Sequence, residues 1–364
     1  MFSINLEQIC FSLNDNCNKN CNDCYVGCTT HNSHSVPLDK VEKFLEFITV
    51  NNESANRHIS IDFMGGEMSE YEHLDSLSRI IKDFTKSYII DDMRVTTYAP
   101  RSDNLIKFVN DMMECVDHLR YFIIRDLSLN ELDQETIDYV ERVSLLGDKV
   151  NPVVEHVLRP KDIPVYDKLL GYANQYNFVT IDICYPCGAT DFTESDLNDL
   201  TTIYNDFKRK NTILNDIDFA NRVSMFEINY SNISNIMQKI QKNKYISSMC
   251  KPFSSEIWLS PRGNIFPCAH MLKYDQLFDH NSVDELNETY FTNELNNKFI
   301  IDKNDELCHH CVVKSFCLQC KILPEILNMS DLNNINRTQE KCDRVLNHVK
   351  STLENINEYK NKRC

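Results

Sequence analysis

Glycine is scarce in this chain, seven in 364 residues, and no run of apolar residues approaches the roughly 18 that a spanning helix requires. The second absence argues against a helical membrane protein. The start, Met1-Phe2-Ser3-Ile4-Asn5, also lacks the positively charged segment of a secretion signal. Positive charge is short as well: 38 Lys and Arg face 54 Asp and Glu, a net charge of -16. That balance disfavours binding to nucleic acid or anionic lipid and favours a neutral or basic partner. Internal repeats and low-complexity linkers are likewise missing.

Cysteine is plentiful, with sixteen copies. Without a secretion signal, the expectation is not a disulfide framework but a reducing cytoplasm, and an anaerobic one. Most of these cysteines fall into two spaced sets. Cys17, Cys21 and Cys24 form a C-x3-C-x2-C loop; Cys250, Cys268, Cys308, Cys311, Cys317, Cys320 and Cys342 punctuate the C-terminal third. Three thiolates on one short loop can hold three irons of a 4Fe-4S cluster and leave the fourth iron open to a small molecule. A lone loop of this kind also suits a zinc or ferredoxin site.

Between the two sets, strand-like and amphipathic helical runs alternate. Strands are expected over Ile4 to Leu13, His58 to Met64, Met93 to Ala99, Leu119 to Ile124, Val150 to Leu158 and Phe178 to Cys184. Helices are expected over Leu38 to Val50, Tyr71 to Lys86, Asp103 to Cys115, Asp133 to Leu146, Pro164 to Tyr176 and Glu194 to Lys210. Six βα units in series imply parallel strands covered by helices, and six are too few for a closed eight-stranded barrel. The expected fold class is therefore α/β, a partial (β/α)6 barrel over residues 1–215. A helical connector (216–249), a cysteine-rich domain (250–345) opening with a hairpin at Ile257 to Pro267, and a C-terminal helix (346–364) follow. In such barrels reactive groups sit on loops at the C-terminal ends of the strands. The cysteine loop follows strand one and Gly65-Gly66-Glu67 follows strand two, so both should open onto one mouth.

Cys17-Asn18-Lys19-Asn20-Cys21-Asn22-Asp23-Cys24-Tyr25 resembles the signature of the radical S-adenosylmethionine (SAM) superfamily, and Gly65-Gly66-Glu67 its GGE motif. The resemblance implies that the open iron binds the amino and carboxylate groups of SAM, and that the reduced cluster cleaves it to methionine and a 5'-deoxyadenosyl radical. Gly65 and Gly66 would then let backbone approach the ligand, and Glu67 would pair with its ammonium. By analogy Thr96, Thr97 and Arg159 would touch the ribose or carboxylate. The family often sets an aromatic before the third cysteine, against the adenine; this chain departs from that with Asp23 there and Tyr25 after it, which leaves backbone hydrogen bonds at that position for the adenine, and Tyr25 counts among the candidate cofactor-binding residues.

The C-terminal cysteines, with Gly263-x4-Cys268, resemble the SPASM extension of that superfamily, which usually carries two auxiliary 4Fe-4S clusters. The family's interleaved pattern assigns Cys250, Cys268 and Cys320 to one, and Cys308, Cys311, Cys317 and Cys342 to the other. A zinc-ribbon site is the plainer alternative for the two C-x2-C pairs. Seven cysteines cannot fill eight iron positions, which leaves one iron open for substrate thiolate, water, or a ligand such as Cys184, Cys187 or His270.

Cys184 and Cys187, ending strand six at the mouth, are candidate hydrogen-atom donors to a substrate radical, as in peptide epimerases. Asp126, beside Arg125 at the end of strand four, is a candidate acid-base group or substrate anchor. The remaining cysteines, among them Cys10, Cys28 and Cys115, suit small buried hydrophobes. The resemblance implies a maturase acting on a ribosomally made precursor peptide, forming a thioether, carbon-carbon or ether crosslink or an epimerised residue. An electron donor such as flavodoxin or ferredoxin would serve it, and a separate leader-recognition protein is a further expected partner. A second reading is an anaerobic sulfatase-maturating enzyme that makes formylglycine. Ala269-His270 after Cys268, where those enzymes typically place an aspartate, counts against it. A third is a non-catalytic iron-sulfur electron-transfer protein.

Overall fold

A computed structural model describes residues 6–19, 24, 26–31, 34–52, 58–98, 102–128, 132–175, 180–184, 195–196, 199, 202–203, 206, 256–266, 272, 275 and 282–285. The chain divides into two units. One comprises Met1–Glu227 and Pro252–Tyr290; the other, Ile228–Lys251 with Phe291–Cys364, lies outside the described residues.

The first unit is a series of strands and helices in strict alternation: β1 (Gln8–Phe11), α1 (Leu38–Asn51), β2 (His58–Phe63), α2 (Leu74–Phe84), β3 (Ile89–Thr97), α3 (Asp103–Met112), β4 (Val116–Ile124), α4 (Gln134–Ser144), β5 (Val150–Val157), α5 (Tyr166–Gln175) and β6 (Thr180–Cys184). These six strands pair in parallel with their neighbours in sequence. The helix expected over Glu194 to Lys210 lies largely outside the described residues. The hairpin forms as expected, as β7 (Glu256–Leu259) and β8 (Ile265–Phe266). It does not open a separate domain, however: β7 pairs in parallel with β1 and extends the sheet to the order β6-β5-β4-β3-β2-β1-β7-β8. Among the described residues β6 and β8, at the two ends of that order, do not pair with each other.

Alternation along each strand sends one set of side chains to the helices and the other to the interior. The helix-facing set is apolar and aromatic. Phe11 stacks on Phe63 at 5.2 Å between centroids, Phe44 of α1 meets Phe11 edge-on at 5.6 Å, and Phe108 of α3 meets Phe63 at 5.5 Å. All four rings are buried, so α1 and α3 lock onto the first two strands. The helices present matching stripes: α2 buries Leu74, Leu77, Ser78, Ile81 and Phe84, at the spacing of one helical face. Ser102 and Asp133 cap α3 and α4, accepting from the N–H groups of Leu105 and Thr136.

The interior set is polar. Register places Cys10, Asp62, Arg94 and Arg120 side by side on the face opposite Phe11 and Phe63. Asp62 is buried, accepts from Gln8 Nε2 at 3.4 Å and lies 3.7 Å from Arg94 Nη1. Because the strands are parallel, the loops after β1 to β5 leave from one edge of the sheet, where every expected site residue in the described region lies.

Candidate active site

The loop after β1 is stitched together at its base. Asn14 and Asn16 make single bridges to Ser35 and Thr29, and Asp15 Oδ2 meets His34 Nδ1 at 2.8 Å while its Oδ1 accepts from His34 N–H. The Cys17 N–H donates to Thr29 C=O, and the Thr29 N–H to Asp15 C=O, both at 3.2 Å. The two ends of the cysteine loop are thereby held together. Cys17 and Cys24 are free, partly exposed thiols; Cys21 and Tyr25 lie outside the described residues.

Cys24 sits in a nest of donors. The Cys28 thiol and the N–H groups of Cys28, Val26 and Gly27 point at its sulfur and bring the thiol down to about 6 against the effect of burial. Gly27 makes this possible with a left-handed φ of +73°, closing a turn in which its N–H reaches Cys24 C=O at 3.2 Å. Cys17 shifts the other way, raised chiefly by burial. Both are free cysteines brought by one loop to one edge of the sheet, and thiol sulfur is the donor type that iron-sulfur clusters take.

The GGE segment docks under this loop. Gly66 N–H donates to Asn14 C=O and Glu67 N–H to Asn16 C=O, both at 2.9 Å, and Asn14 Nδ2 returns a bond to Glu67 C=O at 2.8 Å. A Cβ on Gly65 would lie 2.1 Å from Ser12 Oγ, and one on Gly66 would lie 1.9 Å from Asn14 Oδ1 and 2.6 Å from Asn16 O. The missing Cβ atoms of Gly65 and Gly66 thus let the end of β2 pack against Ser12, Asn14 and Asn16.

Glu67 lies at the join. Its side chain is buried with 1% exposure, and its carboxylate accepts from Ser69 N–H (2.9 Å), Thr97 Oγ1 (2.5 Å) and Tyr98 N–H (2.9 Å). Three internal donors meet this carboxylate, which ties the end of β2 to the end of β3. Thr97 is drawn into that role because it lies on the helix-facing side, in register with Ile123, and is buried. Thr96, half-buried on the opposite face, remains directed at the interior. Tyr98 joins the two motifs: its N–H binds Glu67 while its hydroxyl accepts from Asn18 N–H at 3.1 Å and contacts the Cys17 thiol.

At the ends of β4 and β5, Arg125 is a structural tie, donating to Thr136 Oγ1 and to the carbonyls of Tyr98 and Ile124. Asp126 is exposed at the mouth. Partial burial would raise its carboxyl, but the Ser128 hydroxyl at 2.5 Å, His156 and Lys161 outweigh that and hold it below the usual range. His156 is fully buried beneath it; its Nδ1 accepts from Leu127 N–H at 3.1 Å, and its Nε2 faces Asp162 Oδ2 at 3.4 Å. Burial lowers its pKa first of all, against the pull of the Asp162 and Asp126 carboxylates. Asp162 Oδ2 in turn accepts from Arg159 N–H at 2.9 Å, and Arg159 Nη1 reaches Val157 C=O at 3.3 Å, so Arg159 is fixed at the mouth by its own turn.

Cys184 ends β6 beside Val157 in register, at the same edge. Cys187, Cys250, Cys268, Cys308, Cys311, Cys317, Cys320 and Cys342 lie outside the described residues. The sequence reading missed Asn14, Asn16, Tyr98 and Cys28. Cys28 and the two asparagines carry a positional signal, since they flank the cysteine loop; Tyr98 carries none.

No family model matches the chain and no curated protein matches it. Solved structures do. Native anSMEcpe with bound AdoMet superposes with a TM-score of 0.64 and 17% identity, over 96% of this chain and 99% of that one. The same protein with bound AdoMet and Kp18Cys peptide gives 0.64 and 18%, over 96% and 98%. Streptococcus suis SuiB bound to S-adenosylmethionine gives 0.55 and 12%, over 93% and 77%. At such identities the likeness is one of architecture, and the chain has the radical SAM fold that these structures share.

Proposed function

We propose that this chain is a radical SAM enzyme that modifies a peptide or protein. The observation that carries the proposal is the paired backbone bonding of Gly66 and Glu67 to Asn14 and Asn16. It fixes a loop bearing the partly exposed free cysteines Cys17 and Cys24 at the C-terminal edge of a parallel sheet. The known structures of this fold with AdoMet bound support the same reading.

In this reading Cys17, Cys21 and Cys24 hold a 4Fe-4S cluster, which when bound supplies the electron that cleaves SAM and so starts hydrogen abstraction from the substrate. The protein's part is positioning. Glu67 and Asn14 hold the loop rigid; Thr96, Arg159 and Tyr25 line the SAM side. Asp126, ionised beside Ser128 and Lys161, anchors a cationic group or takes a proton. Cys184 or Cys187 returns a hydrogen atom where the product is an epimer. Cys250, Cys268 and Cys320, and Cys308, Cys311, Cys317 and Cys342, hold two auxiliary clusters, and flavodoxin or ferredoxin supplies electrons. A cytoplasmic location accords with this chemistry; no helix among the described residues is long and apolar enough to cross a membrane.

Two substrates stand level. A ribosomally made precursor peptide follows from the cysteine pattern and the SuiB likeness. A sulfatase follows from anSMEcpe, an anaerobic sulfatase-maturating enzyme that matches this chain nearly end to end. Reconstituted enzyme with SAM and dithionite should be offered a sulfatase-derived cysteine or serine peptide and, separately, short Cys-rich peptides encoded beside its gene. A product that reacts with hydroxylamine is an aldehyde and supports sulfatase maturation. Loss of two hydrogens without that reactivity supports crosslinking. Failure to modify either peptide while SAM is cleaved would remove both substrates.

A further inference from the structure

His156 has no part in the chemistry above, yet two turns of the mouth meet on it. The ring, on β5, is 0% exposed, and a polar group so buried is stable only with partners of its own. One set lies in the turn after β4: Nδ1 accepts from Leu127 N–H at 3.1 Å, with Arg125 C=O at the longer distance of 3.3 Å and Asp126 Oδ1 at 3.9 Å. A ring nitrogen that accepts carries no proton, so the proton is on Nε2, which faces Asp162 Oδ2 at 3.4 Å. That same oxygen accepts from Arg159 N–H at 2.9 Å, in the turn after β5. Asp162 is itself buried. Leu127, His156, Asp162 and Arg159 therefore form one internal chain of contacts between the turn that carries Asp126 and the turn that carries Arg159. With its lone pair taken and its proton towards a carboxylate, the ring has nothing left to offer a metal ion, although Asp126 and Asp162 lie close to it.

We propose that His156 is a positioning residue for SAM binding, its Nε2 side setting Arg159 through Asp162 while its Nδ1 side holds the Asp126 turn through Leu127. The two halves of the ring do separate work, and side chains that copy only one half tell them apart. Asparagine can present an acceptor where Nδ1 stood but stops short of Asp162; glutamine can bring a donor to the place of Nε2 and leaves Leu127 N–H without its acceptor. The inference rests on the reading that Arg159 lines the SAM side.

The test is the dependence of 5'-deoxyadenosine formation on SAM concentration in full-length protein, reconstituted anaerobically and reduced with dithionite, with iron content measured on each sample. His156→Asn should raise KM for SAM by about tenfold with kcat little changed, the sign of a lost binding contact, and His156→Gln should stay near the wild type. Iron content should be equal in all. A purely structural histidine would lower the melting temperature of both variants and leave their KM values alike, so equal KM values, raised or not, overturn the proposal. Asp162→Ala cuts the same chain from its other end and serves if the two variants do not fold: KM should rise there, and an unchanged KM overturns the proposal. Arg159→Ala separates the two readings. A raised KM in that variant beside equal values in the histidine variants overturns the role of His156 alone; an unchanged KM in it overturns the placing of Arg159 at SAM, and this proposal with it.

Discussion

Glu67 is buried with three donors aimed at its carboxylate, so removing its charge alone should register as lost stability. Glu67→Gln keeps the shape but replaces one acceptor with a donor facing a donor, and should lower stability by about 1–3 kcal/mol, read as a fall in anaerobic melting temperature. An unchanged melting temperature with a raised KM for SAM would return the carboxylate to the ligand. Asp62 gives a pH signature. Burial, only partly offset by Arg94 and Arg120, pushes its carboxyl up to about 6, and its Oδ1 is buried without a hydrogen bond. The folded state therefore holds the proton more tightly than the unfolded one. Its contribution to stability is full below about pH 4 and is lost as pH rises towards 6, by roughly 3 kcal/mol at most. Melting curves at pH 4.5 and 7 should show this slope in the wild type and a flatter one in Asp62→Asn; equal slopes would contradict the assignment.

At the scale of elements, the docking of the GGE segment under the cysteine loop is the feature most exposed to a single change. Gly66→Ala puts a methyl against Asn14 Oδ1 and the Asn16 carbonyl. It should cost about 1–3 kcal/mol through overpacking and abolish SAM cleavage while auxiliary iron stays bound. Cleavage at the wild-type rate would show that the two loops need not touch. The alternation of strands and helices was legible in the sequence because buried strands and amphipathic helices repeat at different periods. Edges were less so. β3 begins at Ile89, ahead of the expected Met93, because Asp91 and Asp92 find partners across the sheet in His58 and Arg120, and pairing overrides their poor strand propensity. The union of β7 with β1 was not legible, since residues so distant in sequence leave no local pattern. Nor was the helix-facing side of Thr97, whose neighbour Thr96 is the same residue type on the opposite face.

Over the whole molecule, the sequence made the cysteine loop and its place beside Gly65-Gly66-Glu67 readable, because spacing survives without coordinates. What it left open is what the glycines admit and what Glu67 binds, which depend on contacts between loops. The net charge of -16 and the exposed Asp126 accord with a neutral or basic substrate segment, a reading that charged-peptide competition can check. The most direct measurement is 5'-deoxyadenosine production by anaerobically reconstituted protein with SAM and dithionite, alongside its iron content. The wild type should form deoxyadenosine and hold about twelve irons, and Cys17, Cys21 and Cys24 changed together to Ala should form none while keeping about eight. Deoxyadenosine persisting in the triple variant, or absent from a fully loaded wild type, would contradict the assignment of the first site.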